Sequence, residues 1–239
     1  MNPNKETARV AGVLFIVATA ASLAGDAVLG SALDVPDFLS RLSTEGNRVL
    51  VSALLSFAAA CCSAGIAIAL YPVTRKFHEG LALASVGFRL IEAVFYSVGT
   101  LCLLSTFALG QEYAGLSGQA ASYAETLGRL LRTAKDLAGF ILGVTAFCIG
   151  AGSYYLAFYR ARLIPRWLSA WGLIALALLF AAVLTTLFDG EPYSVSGNLV
   201  FMALPIALQE MILAVWLLVK GFNPSAIPPA SAPVKARRA

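Results

Sequence analysis

A chain of 239 residues with 59% hydrophobic and only 13% charged residues, and a mean hydropathy of +0.80, is excluded from the ordinary water-soluble class. A typical soluble domain is about half apolar and about a quarter charged. The net charge of +4 comes from seventeen basic and thirteen acidic residues scattered among long apolar runs, so the expected partner is the lipid bilayer and no nucleic-acid partner is expected.

A span needs about 20 apolar residues to cross about 30 Å of hydrocarbon. The first such run covers 9–30, behind Lys5 and Arg9, and carries Asp26 near its end. Its alanine-rich stretch 18–24 has the small-residue character of a signal cleavage region. The run nevertheless continues through Val28 at spanning length, and its removal would leave one terminus on the wrong side of the charge bias, so retention is expected. In the connection 31–48, Phe38, Leu39 and Leu42 recur at helical spacing and predict a short surface helix. The second span, 49–71, is followed by the loop TRKFHEG, and the third, 81–109, contains Arg89 and Glu92.

The connection 111–133 predicts a second surface helix from Leu127, Leu130, Leu131 and Ala134. The fourth span, 134–159, opens with Lys135 and Asp136 and includes Gly139 and Gly143, a spacing that permits close helix approach inside the bundle. The fifth span is 167–188. A loop with Asp189 and Glu191 and no basic residue leads to the sixth, 198–219, which holds Pro205, Gln209 and Glu210. Residues 223–239, rich in proline and small residues and ending in a basic cluster, have little to bury and predict a disordered tail. The expected architecture is therefore all-α, a polytopic integral membrane bundle of six transmembrane helices.

Charge placement sets the expected orientation. Lys5, Arg9, Arg75, Lys76, Arg160, Arg162, Arg166, Lys220, Lys235, Arg237 and Arg238 fall on one side of a six-span topology, against Arg41, Arg48, Arg129, Arg132 and Lys135 on the other. The more basic side is cytoplasmic by the positive-inside rule, which puts both termini in the cytoplasm. The tail cluster Val234 to Arg238 is a candidate contact for anionic lipid.

Several chemistries are unsupported. Cys61, Cys62, Cys102 and Cys148 all lie within spans and form no spaced framework, so they read as packing residues. The single histidine, His78, allows neither a bis-histidine haem site nor an H-E-x-x-H zinc site. No nucleophile elbow, Walker loop or dinucleotide fingerprint occurs. No metal and no cofactor are expected, and a non-enzymatic role is favoured.

What remains is polar chemistry at membrane depth, where a charge costs about 2.5 to 3.5 kcal/mol on insertion scales and persists only with a partner or a task. Glu92 lies about 17 Å from the start of its span and Glu210 about 15 Å before Lys220, taking about 1.5 Å per residue, so the two carboxylates share a depth. Arg89, one turn from Glu92 on the same face, is positioned to pair with either acid. One guanidinium cannot fully neutralise two carboxylates, which leaves Glu92 or Glu210 to hold a proton, a cation or a polar ligand. Pro205 predicts a local break in the sixth helix, read either as a kink locked by an Arg89–Glu210 bridge or as an opening with Pro205, Gln209 and Glu210 as the polar wall of a cavity. Asp26 is expected to pair with Lys135 near the outer face, beside Asp136. The candidate ligand or proton residues are thus Arg89, Glu92, Gln209, Glu210, Asp136 and Asp26.

The segments LYPVTRKFHEGLALASVGFRLIEAVFYSVG, ALGQEY, KDLAGFILG, LIPRWLSAWGLI and LPIALQEMILAVWLLVKGF resemble the bacterial membrane-protein family known as domain of unknown function 4386. The resemblance runs from about Ala8 to Phe222, leaves the basic tail outside, and implies that Arg89, Glu92, Asp136, Gln209 and Glu210 belong to the family's polar pattern. It implies a bacterial cytoplasmic (inner) membrane location and assigns no activity. Three roles remain: transport or proton-coupled binding of a small molecule at the Arg/Glu centre, an accessory or regulatory membrane scaffold, and an enzyme acting on a lipid or small apolar substrate with Glu92 or Glu210 as acid or base.

Overall fold

A computed structural model describes residues 3–188 and 197–226. The backbone is helical throughout its long elements, as lipid requires, because a helix satisfies its own N–H and C=O groups where water is absent. In chain order the helices are α1 (Pro3–Leu29), α2 (Phe38–Thr44), α3 (Gly46–Thr74), α4 (Glu79–Tyr113), α5 (Gly118–Asp136), α6 (Val144–Ala161), α7 (Arg166–Phe188) and α8 (Gly197–Val219). A π-helical segment, Leu137–Gly143, joins α5 to α6, and a 3₁₀ turn, Pro224–Ala226, follows α8. Six helices are long and apolar enough to cross a membrane, the fourth being the continuous rod Gly118–Ala161.

These six close into a ring. α1 packs on α3, α3 on α4, α4 on α6, α6 on α7, α7 on α8, and α8 returns to α1. The interior holds Phe15, Tyr154, Tyr155, Phe158 and Leu213, all essentially inaccessible. The outside is equally apolar: Leu54 is 70%, Val94 60% and Ile174 62% exposed, which is the pattern of a surface solvated by lipid.

The connection after α4 differs from expectation. Residues 118–136 do form the expected helix, but it is not separate from the fourth span: no proline interrupts 118–161, and the π-helical segment carries the backbone onward into α6. Its leucine stripe faces outward. Leu127 is 47% and Leu130 64% exposed, while the small residues Ala124 and Gly128 are buried, Gly128 lying against Phe38 and Leu39 of α2. The α2 stripe itself is packed, with Phe38, Leu39 and Leu42 buried. α2 sits so close to α4 that a Cβ on Gly110 would come within 2.6 Å of the Leu39 carbonyl oxygen.

The two ends of the ring differ in how their charges are used. At one end Arg132 donates to the Leu33 carbonyl and pairs with Asp34 at 2.7 Å, and Arg48 Nε donates to the Val28 carbonyl at 3.0 Å. Each of the five cations assigned to that end has a carboxylate within 4.0 Å: Arg41 and Arg48 at Glu45, Arg129 at Glu125, Arg132 at Asp34 and Lys135 at Asp136. At the opposite end Lys76 Nζ donates to Asn4 Oδ1 at 3.2 Å, and the Asn223 amide donates to the Leu163 carbonyl at 2.8 Å. Among the described residues, none of the basic side chains at that end is in such an ion pair.

Asn223–Ala226 therefore folds against the α6–α7 turn, whereas the remainder of the expected tail and the loop bearing Asp189 and Glu191 lie outside the described residues. α8 continues as α-helix through Pro205 without the predicted break.

Candidate functional site

Arg89 and Glu92 face inward from α4, with Arg89 Nη1 and Glu92 Oε2 3.0 Å apart and each side chain only 3% exposed. This contact is an ion pair by distance; its alignment is not that of a hydrogen bond. Ser63 of α3 holds both members. Its hydroxyl donates to Glu92 Oε1 at 2.7 Å, and its carbonyl accepts from Arg89 Nε at 3.3 Å. From α6, the Phe147 ring covers the guanidinium at 4.9 Å, a cation–π contact that strengthens where water is excluded.

Gly150 makes room for this arrangement. A Cβ there would lie 3.0 Å from Arg89 Cγ and 3.1 Å from its backbone nitrogen, so α4 and α6 approach closely at this level because the residue has no side chain.

Glu210 enters from α8. Its Oε1 accepts from the Tyr154 hydroxyl at 3.3 Å, and among the described residues no cation lies within 4.0 Å of it. Arg89 still acts on it electrostatically, so the two carboxylates share the field of one guanidinium at unequal distance. Glu92 is buried, whereas Glu210 keeps part of its surface accessible.

Gln209 does not join Glu210 on a cavity wall. One position along a helix turns the side chain by about 100°, and Gln209 points instead between α6 and α7. It is fully buried, its Nε2 donates to the Leu168 carbonyl at 3.0 Å, and its Oε1 accepts from the Tyr155 hydroxyl. Both polar ends of Gln209 are thereby used to clasp three helices together.

The shallower group also rearranges. Lys135 Nζ lies 3.4 Å from its neighbour Asp136 and 5.8 Å from the centre of the Phe140 ring, and among the described residues no ion pair joins it to Asp26. Asp26 is exposed and Asp136 buried. Asp136 is the last residue before the π-helical segment, so the carboxylate and the irregular backbone adjoin. Of the two glycines in that segment, Gly143 meets Tyr96, where a Cβ would come within 2.7 Å of the ring, while Gly139 has no neighbour within 4 Å. The G-x-x-x-G pair thus packs at one member only, inside the bundle.

Sequence reasoning did not single out Ser63, Tyr154, Tyr155, Phe147 or Gly150. The adjacent tyrosines in GSYYLAF were the available signal, since two phenols in an apolar span need hydrogen-bond partners. Ser63 and Gly150 carried none, because small residues are common throughout these helices.

A ring of six apolar helices around a buried ion pair and a further carboxylate defines a polytopic helical membrane protein with a polar centre. The chain belongs to the family described as domain of unknown function 4386, whose model matches residues 10–221, a stretch that includes every candidate residue above. No curated protein and no solved structure matches it.

Proposed function

We propose that this integral membrane protein binds a small polar species, a proton or a small cationic molecule, at the centre of the ring, with Glu210 as the exchanging group and Arg89–Glu92 as the fixed counter-charge. The observation that carries this reading is the inequality of the two acids. Glu92 has the guanidinium at 3.0 Å and the Ser63 hydroxyl at 2.7 Å, whereas Glu210, only partly buried, has among the described residues one hydrogen bond, from Tyr154 at 3.3 Å, and no cation within 4.0 Å. A carboxylate at membrane depth with so few partners gains most from a bound proton or cation.

The six-span order and the basic end, whose side chains are in no ion pair among the described residues, favour insertion in a bacterial cytoplasmic membrane with both termini inside. A scaffold role is the second reading, favoured by the Gln209 clasp, which uses both ends of a buried amide for helix packing alone.

Cysteine scanning in a background lacking the four native thiols tests access. Glu210→Cys is expected to react with a small positively charged thiol reagent in reconstituted protein, and Glu92→Cys to remain unreacted. Protection of position 210 in a folded variant would shift the assignment to the scaffold.

A further inference from the structure

We infer that the cleft between the α6–α7 turn and the end of α8 is a binding site for the phosphate of an anionic phospholipid headgroup. α6 is capped by a left-handed residue, Arg162 with φ of 54°, and Gly221, two residues past the end of α8, has φ of 72°, so the backbone turns sharply at both places and leaves a gap between them. Asn223 fixes the far wall by its backbone bond to Leu163, and Leu163 and Phe222 anchor the two turns in the core. The resulting cleft measures about 570 Å³ and is lined by Arg162, Arg166, Lys220 and Trp216.

Three observations point to the ligand. Arg162, Arg166 and Lys220 are exposed and, among the described residues, none has a carboxylate within 4.0 Å, in contrast to the five paired cations of the other end. Lys220 is held 4.6 Å above the Trp216 ring and Arg166 5.3 Å above that of Tyr159, so two of the cations are positioned by aromatic faces. Tyr159, Trp167 and Trp216 also mark the level of the membrane interface, where aromatic residues concentrate. Trp167 is 56% exposed and stacks on Trp171. A cleft at that level with exposed cations beside the buried apolar lining residues Leu163, Ile164 and Phe222 fits a lipid phosphate with its glycerol and upper acyl chain, more than a free anion, which has no use for the apolar surface.

Native mass spectrometry of the full-length protein in detergent micelles containing phosphatidylglycerol or phosphatidylcholine tests this. Each basic residue near an anionic surface strengthens binding about fivefold, so Arg162→Gln/Arg166→Gln/Lys220→Gln should weaken phosphatidylglycerol binding about a hundredfold. Arg166→Gln and Lys220→Gln alone, at exposed positions, should each weaken it about fivefold and serve if the triple variant does not fold. The tail variant Lys235→Gln/Arg237→Gln/Arg238→Gln should retain the lipid. Equal retention of the two lipids, or loss that follows the tail and not the cleft, would overturn the site. Displacement of the lipid by an equal concentration of inorganic phosphate would overturn the lipid assignment.

Discussion

Arg89 is held from three helices: by Glu92 on its own helix, by the Ser63 carbonyl of α3 and by the Phe147 ring of α6. Removing one member of a buried pair leaves the other charge uncompensated and typically costs about 3 to 5 kcal/mol. Arg89→Ala should therefore lower the thermal unfolding midpoint sharply in detergent, and a variant that unfolds with the parent would show that the pair contributes no net stability. The pairing itself was legible from spacing alone, since Arg89 and Glu92 are three apart in an apolar run and helical geometry puts them on one face. The role of Gln209 was not. Its neighbour Glu210 suggested a shared polar wall, but adjacent helical positions diverge, and only the packing of α8 against α6 and α7 decides that Gln209 meets Tyr155 and Leu168 while Glu210 meets Tyr154.

At the level of elements, the spans follow from apolar length, whereas the extramembrane joints depend on contacts that periodicity does not record. α2 was predicted from Phe38, Leu39 and Leu42, and those residues are its buried face. The same kind of stripe on α5 marks the helix but not its packed face, because in lipid or at its interface an apolar face can point outward, leaving Ala124 and Gly128 to make the packing contact. Close packing has a consequence at Gly110. A methyl there meets the backbone of α2 and not a movable side chain, so Gly110→Ala should undock α2 at a cost of about 1 to 3 kcal/mol. Hydrogen exchange should show faster exchange over Phe38–Thr44 with the Arg89 region unchanged. Protection of α2 equal to the parent's would mean that α4 can yield enough to accommodate the methyl.

Across the whole molecule, the closed ring of α1, α3, α4, α6, α7 and α8 was not readable from hydropathy, which counts spans without ordering them in space. The charge bias was readable, and the structure sharpens it. The five cations of one end are paired with carboxylates, while the opposite end presents Arg162, Arg166 and Lys220 without such partners among the described residues. That end should face the cytoplasm. A tag placed after Ala239 should be inaccessible to antibody on intact cells and accessible after permeabilisation; labelling of intact cells would reverse the orientation.

The two acids at the centre are best separated by infrared difference spectroscopy between acidic and alkaline pH on the reconstituted parent, Glu210→Gln and Glu92→Gln proteins. The predicted result is a carboxylic-acid band that changes with pH in the parent, disappears in Glu210→Gln and survives in Glu92→Gln. A band that persists in Glu210→Gln, or a centre with no pH-dependent carboxyl signal at all, would contradict Glu210 as the exchanging group.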